Sequence, residues 1–189
     1  IDAIVIIKEN QHRKHVENRN DLTWESVCEI NKFLFNHAKK YNIPIFNTPN
    51  VFGAEVAEQA LSLILNLTRC THIIDAEVRK GNWLKIEGTS LIDKTIGIIG
   101  LGSIGKEIAL RAASFGMKIT FYDPFVKNDL NTKKYSNLSF NELCAQSDFI
   151  VLACSLNEEN SNIINKDSIS KMIKKPYIIN ISRGPLINE

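Results

Sequence analysis

Three glycines in TIGIIGLGSIG, Gly100, Gly102 and Gly105, close a run of β-branched residues and open a helical stretch. In that order of elements a GxGxxG spacing builds a main-chain anion site. The first glycine allows a tight turn, the second lets the backbone approach a pyrophosphate, and the third lets helix and strand pack closely. The helix start then offers amide hydrogens and a partial positive charge to the phosphates, with Ser103 and Ile104 inside the loop. Asp123, 18 residues past Gly105, ends the next strand-like run, FYDP. A carboxylate there can accept hydrogen bonds from both hydroxyls of an adenosine ribose and repels a 2'-phosphate, which favours NAD over NADP. A third feature is Arg183, between Ser182 and Gly184 at the end of the apolar run YIINIS. A guanidinium at the carboxyl end of a parallel strand suits a bidentate grip on a carboxylate. The plainer alternatives are a glycine turn whose aspartate caps a loop, an S-adenosylmethionine site, and a salt-bridged surface arginine.

These residues need a scaffold that alternates strand and helix. Strands are expected at 95–99, 118–122, 149–154 and 177–181, and helices at 104–114, 140–146 and 166–173. Ser139 and Glu142 in SFNE spell a capping box. Strands that are apolar throughout point to an α/β fold, a Rossmann-type doubly wound parallel sheet covered on both faces and incomplete at its C-terminal side. From Ala54, apolar residues at Val56, Ala60, Leu63, Leu67 and Ile74 predict one long helix broken at Gly81. The first fifty residues read as a remnant α/β unit. Ile1 to Ile7 is strand-like, KENQHRKHVENRND is a surface helix or loop, NKFLFNHAKK is helix-like, and YNIPIFNTPN is a strand closed by Pro49.

Composition bounds the rest. The 189 residues are 44% hydrophobic and 23% charged, which describes a globular protein with a real core. A net charge of +2 gives no reason to expect a nucleic-acid partner. No stretch is long enough to span a bilayer. Cys28, Cys70, Cys144 and Cys154 lack metal-ligand spacing and read as reduced thiols of a cytoplasmic protein. A chain that opens on Ile1, already inside a strand-like run, suggests a piece of a longer protein.

Taken together, NTPNVFGAEVAEQALSLILNLTR, GLGSIG, YDP and NISRG resemble the D-isomer-specific 2-hydroxyacid dehydrogenases, over Asn42 to Glu189. The resemblance implies residues 1–50 as a partial substrate domain and 51–189 as a C-terminally truncated NAD-binding domain. It implies hydride transfer between NAD and C2 of a small 2-hydroxy or 2-oxo acid, and a homodimer in the full-length protein. Carried over by position, Thr48 lies near the nicotinamide and Ser103 and Ile104 face the pyrophosphate. Cys154 touches the cofactor, Ile181 and Ser182 contact the nicotinamide side, and Arg183 faces the substrate. Thr48 could instead satisfy a turn before Pro49. Cys154 could be a small buried hydrophobe, and Glu58, which matches a family glutamate, a solvated carboxylate.

Two departures accompany the resemblance. The family's glutamate and histidine acid/base pair follows the SRG motif, and His12, His15, His37 and His72 match no family position, so this chain is expected to lack its general acid/base. The loss of the later strands leaves the strand ending at 181 as an apolar edge and predicts poor stability for the isolated chain. Counting back from NIPIFNTP, the family's GxGxDNxD carboxylate-binding loop falls on Val27 to Leu34, VCEINKFL, with both glycines replaced. The fold is also used by transcriptional corepressors, which keeps a dinucleotide-sensing scaffold as the alternative. An oxidoreductase acting on another substrate, such as formate, is a further one.

Overall fold

A computed structural model of the chain describes residues 5–6, 24–46, 51–126 and 135–188. Thr48, Pro49, His12, His15 and the stretch KENQHRKHVENRND lie outside the described residues. The chain separates into two compact units, Ile1–Val51 and Phe52–Glu189.

In the first unit β1 (Val5–Ile6) pairs in parallel with β2 (Ile45–Phe46), and α1 (Trp24–Lys40) intervenes in the chain. A helical crossover is the usual way to join parallel neighbours. Phe33, His37 and Tyr41 stack along α1 at successive i, i+4 positions, with ring centroids 5.7 and 4.6 Å apart. The helix stops where Asn42 takes φ 51° and the Ile43 N–H reaches back to the Ala38 carbonyl at 2.8 Å. The segment Val27 to Leu34, on which the family's carboxylate-binding loop falls by position, is interior to α1. No glycine between 24 and 40 supplies a turn. Helical geometry therefore commits the amides from Cys28 onward to carbonyls four residues back.

The second unit begins with α2 (Gly53–Arg69) and α3 (Thr71–Arg79). Then come β3 (Thr95–Ile99), α4 (Ser103–Ser114), β4 (Lys118–Tyr122), β5 (Ser136–Asn137), α5 (Phe140–Gln146), β6 (Phe149–Leu152), α6 (Lys166–Ser170) and β7 (Tyr177–Asn180). The strands form one parallel sheet in the order β5-β4-β3-β6-β7. This is the order of a doubly wound nucleotide-binding half, with its switch point between β3 and β6. Alternation along the strands feeds two cores. Ile96 and Ile98 of β3, with Phe121, Phe149 and Val151, pack against Ala57, Ala60 and Ile64 of α2 and Ile108, Ala109 and Ala112 of α4. Ile99, Ile150 and Leu152 pack on the other face with Leu143 and Cys144 of α5, Ile164, Met172 and Leu186. Each fully buried isoleucine or leucine contributes about 1.5–3 kcal/mol.

The structure corrects several expected boundaries. The long helix breaks at Cys70, not Gly81, because Cys70 adopts the left-handed conformation, φ 53° and ψ 32°. Two side chains support the break. Thr68 Oγ1 donates back to the Ile64 carbonyl at 2.9 Å, and Asn66 Oδ1 accepts the His72 N–H at 3.1 Å, satisfying an amide at the start of α3. Strand β6 ends at Leu152, β7 at Asn180 and α6 at Ser170. The short β5 pairs with β4 through Ser136 and Asn137, which carry no apolar signal. The SFNE capping box forms, with the Ser139 N–H donating to Glu142 Oε2 at 2.9 Å.

Candidate functional site

The glycine turn joins β3 to α4 at the carboxyl end of the sheet. Gly100 has φ +94°, and a Cβ there would stand 2.7 Å from the Cys154 main chain. Its N–H donates to the Tyr122 carbonyl at 2.9 Å, tying the turn to β4. A Cβ on Gly105 would collide with the Gly100 carbonyl, so the helix can approach the strand only through glycine. Gly102 caps α4 and has no atom within 4 Å of where its Cβ would be. The first helical hydrogen bond at this end is Lys106 N–H to the Gly102 carbonyl, 3.0 Å. Helix geometry leaves the amides of Ser103, Ile104 and Gly105 without intrahelical carbonyls. The turn therefore provides an open glycine surface beside a helix start, the arrangement that accepts phosphates.

Asp123 is built into the same turn. Its Oδ2 accepts the Leu101 N–H at 2.8 Å and its Oδ1 the Phe125 N–H at 2.9 Å. Both carboxylate oxygens are oriented by main chain and each keeps lone-pair capacity for a further donor. A cleft of about 320 Å³ lies alongside, lined by Gly100, Gly102, Asp123, Pro124, Phe125 and Cys154 among others. Its size is at the lower end of the range of about 300–1,000 Å³ for small-molecule sites. The glycine cradle, the oriented carboxylate and the cleft fit an adenosine diphosphate half of NAD.

The far wall was not foreseen from the sequence. Asn157 and Asn160 line the cleft and lock each other. The Asn157 N–H donates to Asn160 Oδ1 at 2.8 Å, and the Asn160 N–H donates to Asn157 Oδ1 at 2.9 Å. Asn160 Nδ2 also donates to the Ser155 carbonyl at 2.6 Å. The i, i+3 asparagine pair in NEEN was the available signal, since such reciprocity resembles a capping box. Cys154 contributes a half-buried thiol. Burial pushes its pKa up, a backbone hydrogen bond opposes this, and the Asp123 charge adds a lesser push in the same direction as burial.

The segment after β7 lies on the other side of Cys154. Ser182 Oγ donates to the Cys154 carbonyl in a short hydrogen bond. Ile181, Ser182 and Arg183 are all partly buried, and Arg183 Nη1 donates to the Ser182 carbonyl at 3.1 Å. Gly100, Gly102, Asp123 and Cys154 thus share one cleft, Ser103, Ile104 and Gly105 start the adjoining helix, and Ser182 connects to it through Cys154. Arg183 does not line that cleft. Glu58 is an exposed carboxylate 3.5 Å from Arg111 Nη2, and Arg111 also binds Glu107, so it joins α2 to α4. His72 Nδ1 is 2.9 Å from Asn66 Oδ1, and His37 stacks within α1. No group of metal-binding residues occurs among the described residues, and no helix among them is long and apolar enough to cross a membrane.

Residues 61–189 match the family model for the D-isomer specific 2-hydroxyacid dehydrogenase, NAD binding domain. The chain is 42% identical over 156 residues to a hydroxypyruvate reductase of Thermotoga maritima, covering 80% of this chain and 50% of that one. It is 38% identical over 169 residues to a human glyoxylate reductase/hydroxypyruvate reductase, covering 85% and 51%. The chain spans about half the length of these curated relatives. Among solved structures, D-lactate dehydrogenase from Aquifex aeolicus complexed with NAD and lactic acid superposes with a TM-score of 0.72 at 32% identity, covering 82% of this chain and 47% of that one.

Proposed function

As the chain belongs to the D-isomer specific 2-hydroxyacid dehydrogenases, we propose that its protein transfers a hydride between NAD and C2 of a small D-2-hydroxy or 2-oxo acid. The observation that carries this reading is the oriented Asp123 carboxylate sharing a cleft with the glycine turn. When bound, NAD supplies the carbon that takes or gives the hydride. Gly100, Gly102 and Gly105 shape the phosphate cradle, and the Ser103 and Ile104 amides hold the pyrophosphate. Asp123 holds the adenosine ribose and disfavours a 2'-phosphate. Cys154, Ile181 and Ser182 flank the cofactor further along the sheet, with Thr48 assigned to the nicotinamide side.

Arg183 grips the substrate carboxylate and polarises its 2-oxygen, fixing the carbon that reacts. The accompanying proton is assigned to the family's glutamate and histidine, which follow the SRG motif. Residues 1–50 act as part of the substrate domain and 51–189 as the NAD-binding domain. The same reading places the protein in the cytoplasm as a homodimer. A monomer in sedimentation of the full-length protein would contradict that assignment.

One observation favours a second reading, a dinucleotide-sensing scaffold: the segment expected to cradle the carboxylate is helix α1. A single experiment separates the two. In the full-length protein, Arg183→Ala lowers kcat/KM for a 2-oxo acid by on the order of 10²–10³-fold and leaves the NADH Kd within about twofold. An unchanged specificity constant overturns the role of Arg183, and absence of turnover in the unmutated protein favours the scaffold.

A further inference from the structure

The turn after β7 is organised by one side chain. Asn180, the last residue of the strand, is half-buried. Its Oδ1 accepts the Ser182 N–H at 3.0 Å, and its Nδ2 donates to the Arg183 carbonyl at 2.8 Å. The two partners are of opposite kind, and the carboxamide satisfies both with its two ends, whereas a carboxylate lacks the donor. The bonds fall on the outer ends of the Ser182–Arg183 dipeptide and restrain the backbone angles between them. Arg183 is held extended, at φ −136° and ψ 139°. Ser182 Oγ fastens the same dipeptide to the Cys154 carbonyl, just past the end of β6. The guanidinium refers back to it too, through Nη1 and the Ser182 carbonyl at 3.1 Å.

We propose that Asn180 is a positioning residue for Arg183, setting the direction in which the guanidinium leaves the sheet and acting on the substrate only through it. The inference rests on the reading of Arg183 as the carboxylate grip. A long side chain amplifies a small backbone rotation at its root, and a displacement of about 1 Å at a reacting group can cost on the order of 10²-fold in rate.

The test is a double-mutant cycle in the full-length protein, with glyoxylate, the smallest 2-oxo acid, as substrate and NADH as cofactor. Asn180→Ala is expected to lower kcat/KM by about 10–100-fold, with the NADH Kd within about twofold. Added to Arg183→Ala it should cost nothing further, because its target is already gone. The near-isosteric Asn180→Asp, which keeps the acceptor and loses the donor, covers the case in which the alanine variant fails to fold and should show a partial loss of the same kind. Wild-type kcat/KM in either Asn180 variant overturns the inference. So does a loss that multiplies fully with a damaging Arg183→Ala. An Arg183→Ala protein of unchanged kcat/KM removes the Arg183 reading itself, and this inference with it.

Discussion

The turn after β3 and the turn after β7 stand at the carboxyl ends of two strands of one parallel sheet, yet they are held by opposite means. The first is shaped by what is missing. Gly100 and Gly105 lie where a Cβ would strike main chain, so the backbone itself comes close to whatever fills the cleft. The second is shaped by side chains, with Asn180 and Ser182 bonding the backbone around Arg183. On the proposed function, an anion that spreads charge over several phosphate oxygens would be met by many weak, fixed amides, and a single small carboxylate by one long cation whose direction has to be imposed.

The contrast predicts different failures. Gly105→Val should be the most damaging change in the cofactor turn, since its side chain collides with the Gly100 carbonyl and neither group can rotate away. NADH binding should be lost and stability should fall by about 1–3 kcal/mol, read by fluorescence titration and thermal melting. Retained binding would mean the helix can shift away from the strand. Ser182→Ala should be milder, about 0.5–1.5 kcal/mol of stability for the hydrogen bond to the Cys154 carbonyl, with substrate KM rising more than the NADH Kd. Equal rises in both would merge the two turns into one unit. The smallest effect concerns Cys154, whose thiol is held above its ordinary pKa by burial and by Asp123. Only the thiolate reacts, so alkylation by iodoacetamide near pH 7.5 should be slower than for an unhindered model thiol and should go on rising beyond about pH 8.5, where the rate for an ordinary thiol levels off. Fast labelling at neutral pH would show a more open cleft.

The same contrast explains what the sequence could tell. The β3 turn was legible because steric exclusion leaves glycine as its one solution, and the flanking runs of β-branched and helix-forming residues agree with it. A parallel sheet covered on both faces then follows from alternating elements, as Ile96 and Ile98 pack opposite Ile99. The asparagine contacts were not legible. Asn180, Asn157, Asn160 and Asn66 are each compatible with many turns, and their bonds depend on which backbone groups the fold leaves in reach. Cys70 fails as a signal for a related reason, since nothing in a cysteine favours a left-handed backbone, and its neighbours Asn66 and Thr68 make the break. In the opening unit, Val27 to Leu34 stands at the position of the family's loop without either of its glycines, and the residues present lie within α1.

The account stands most directly on the Asp123 carboxylate, fixed by two amides beside the glycine turn. Titrating the protein with NADH and with NADPH by fluorescence measures it. NADH should bind at least about tenfold more tightly, a difference of about 1.4 kcal/mol, and Asp123→Ser should narrow the gap. Equal affinity of the unmutated protein for the two would contradict the assignment.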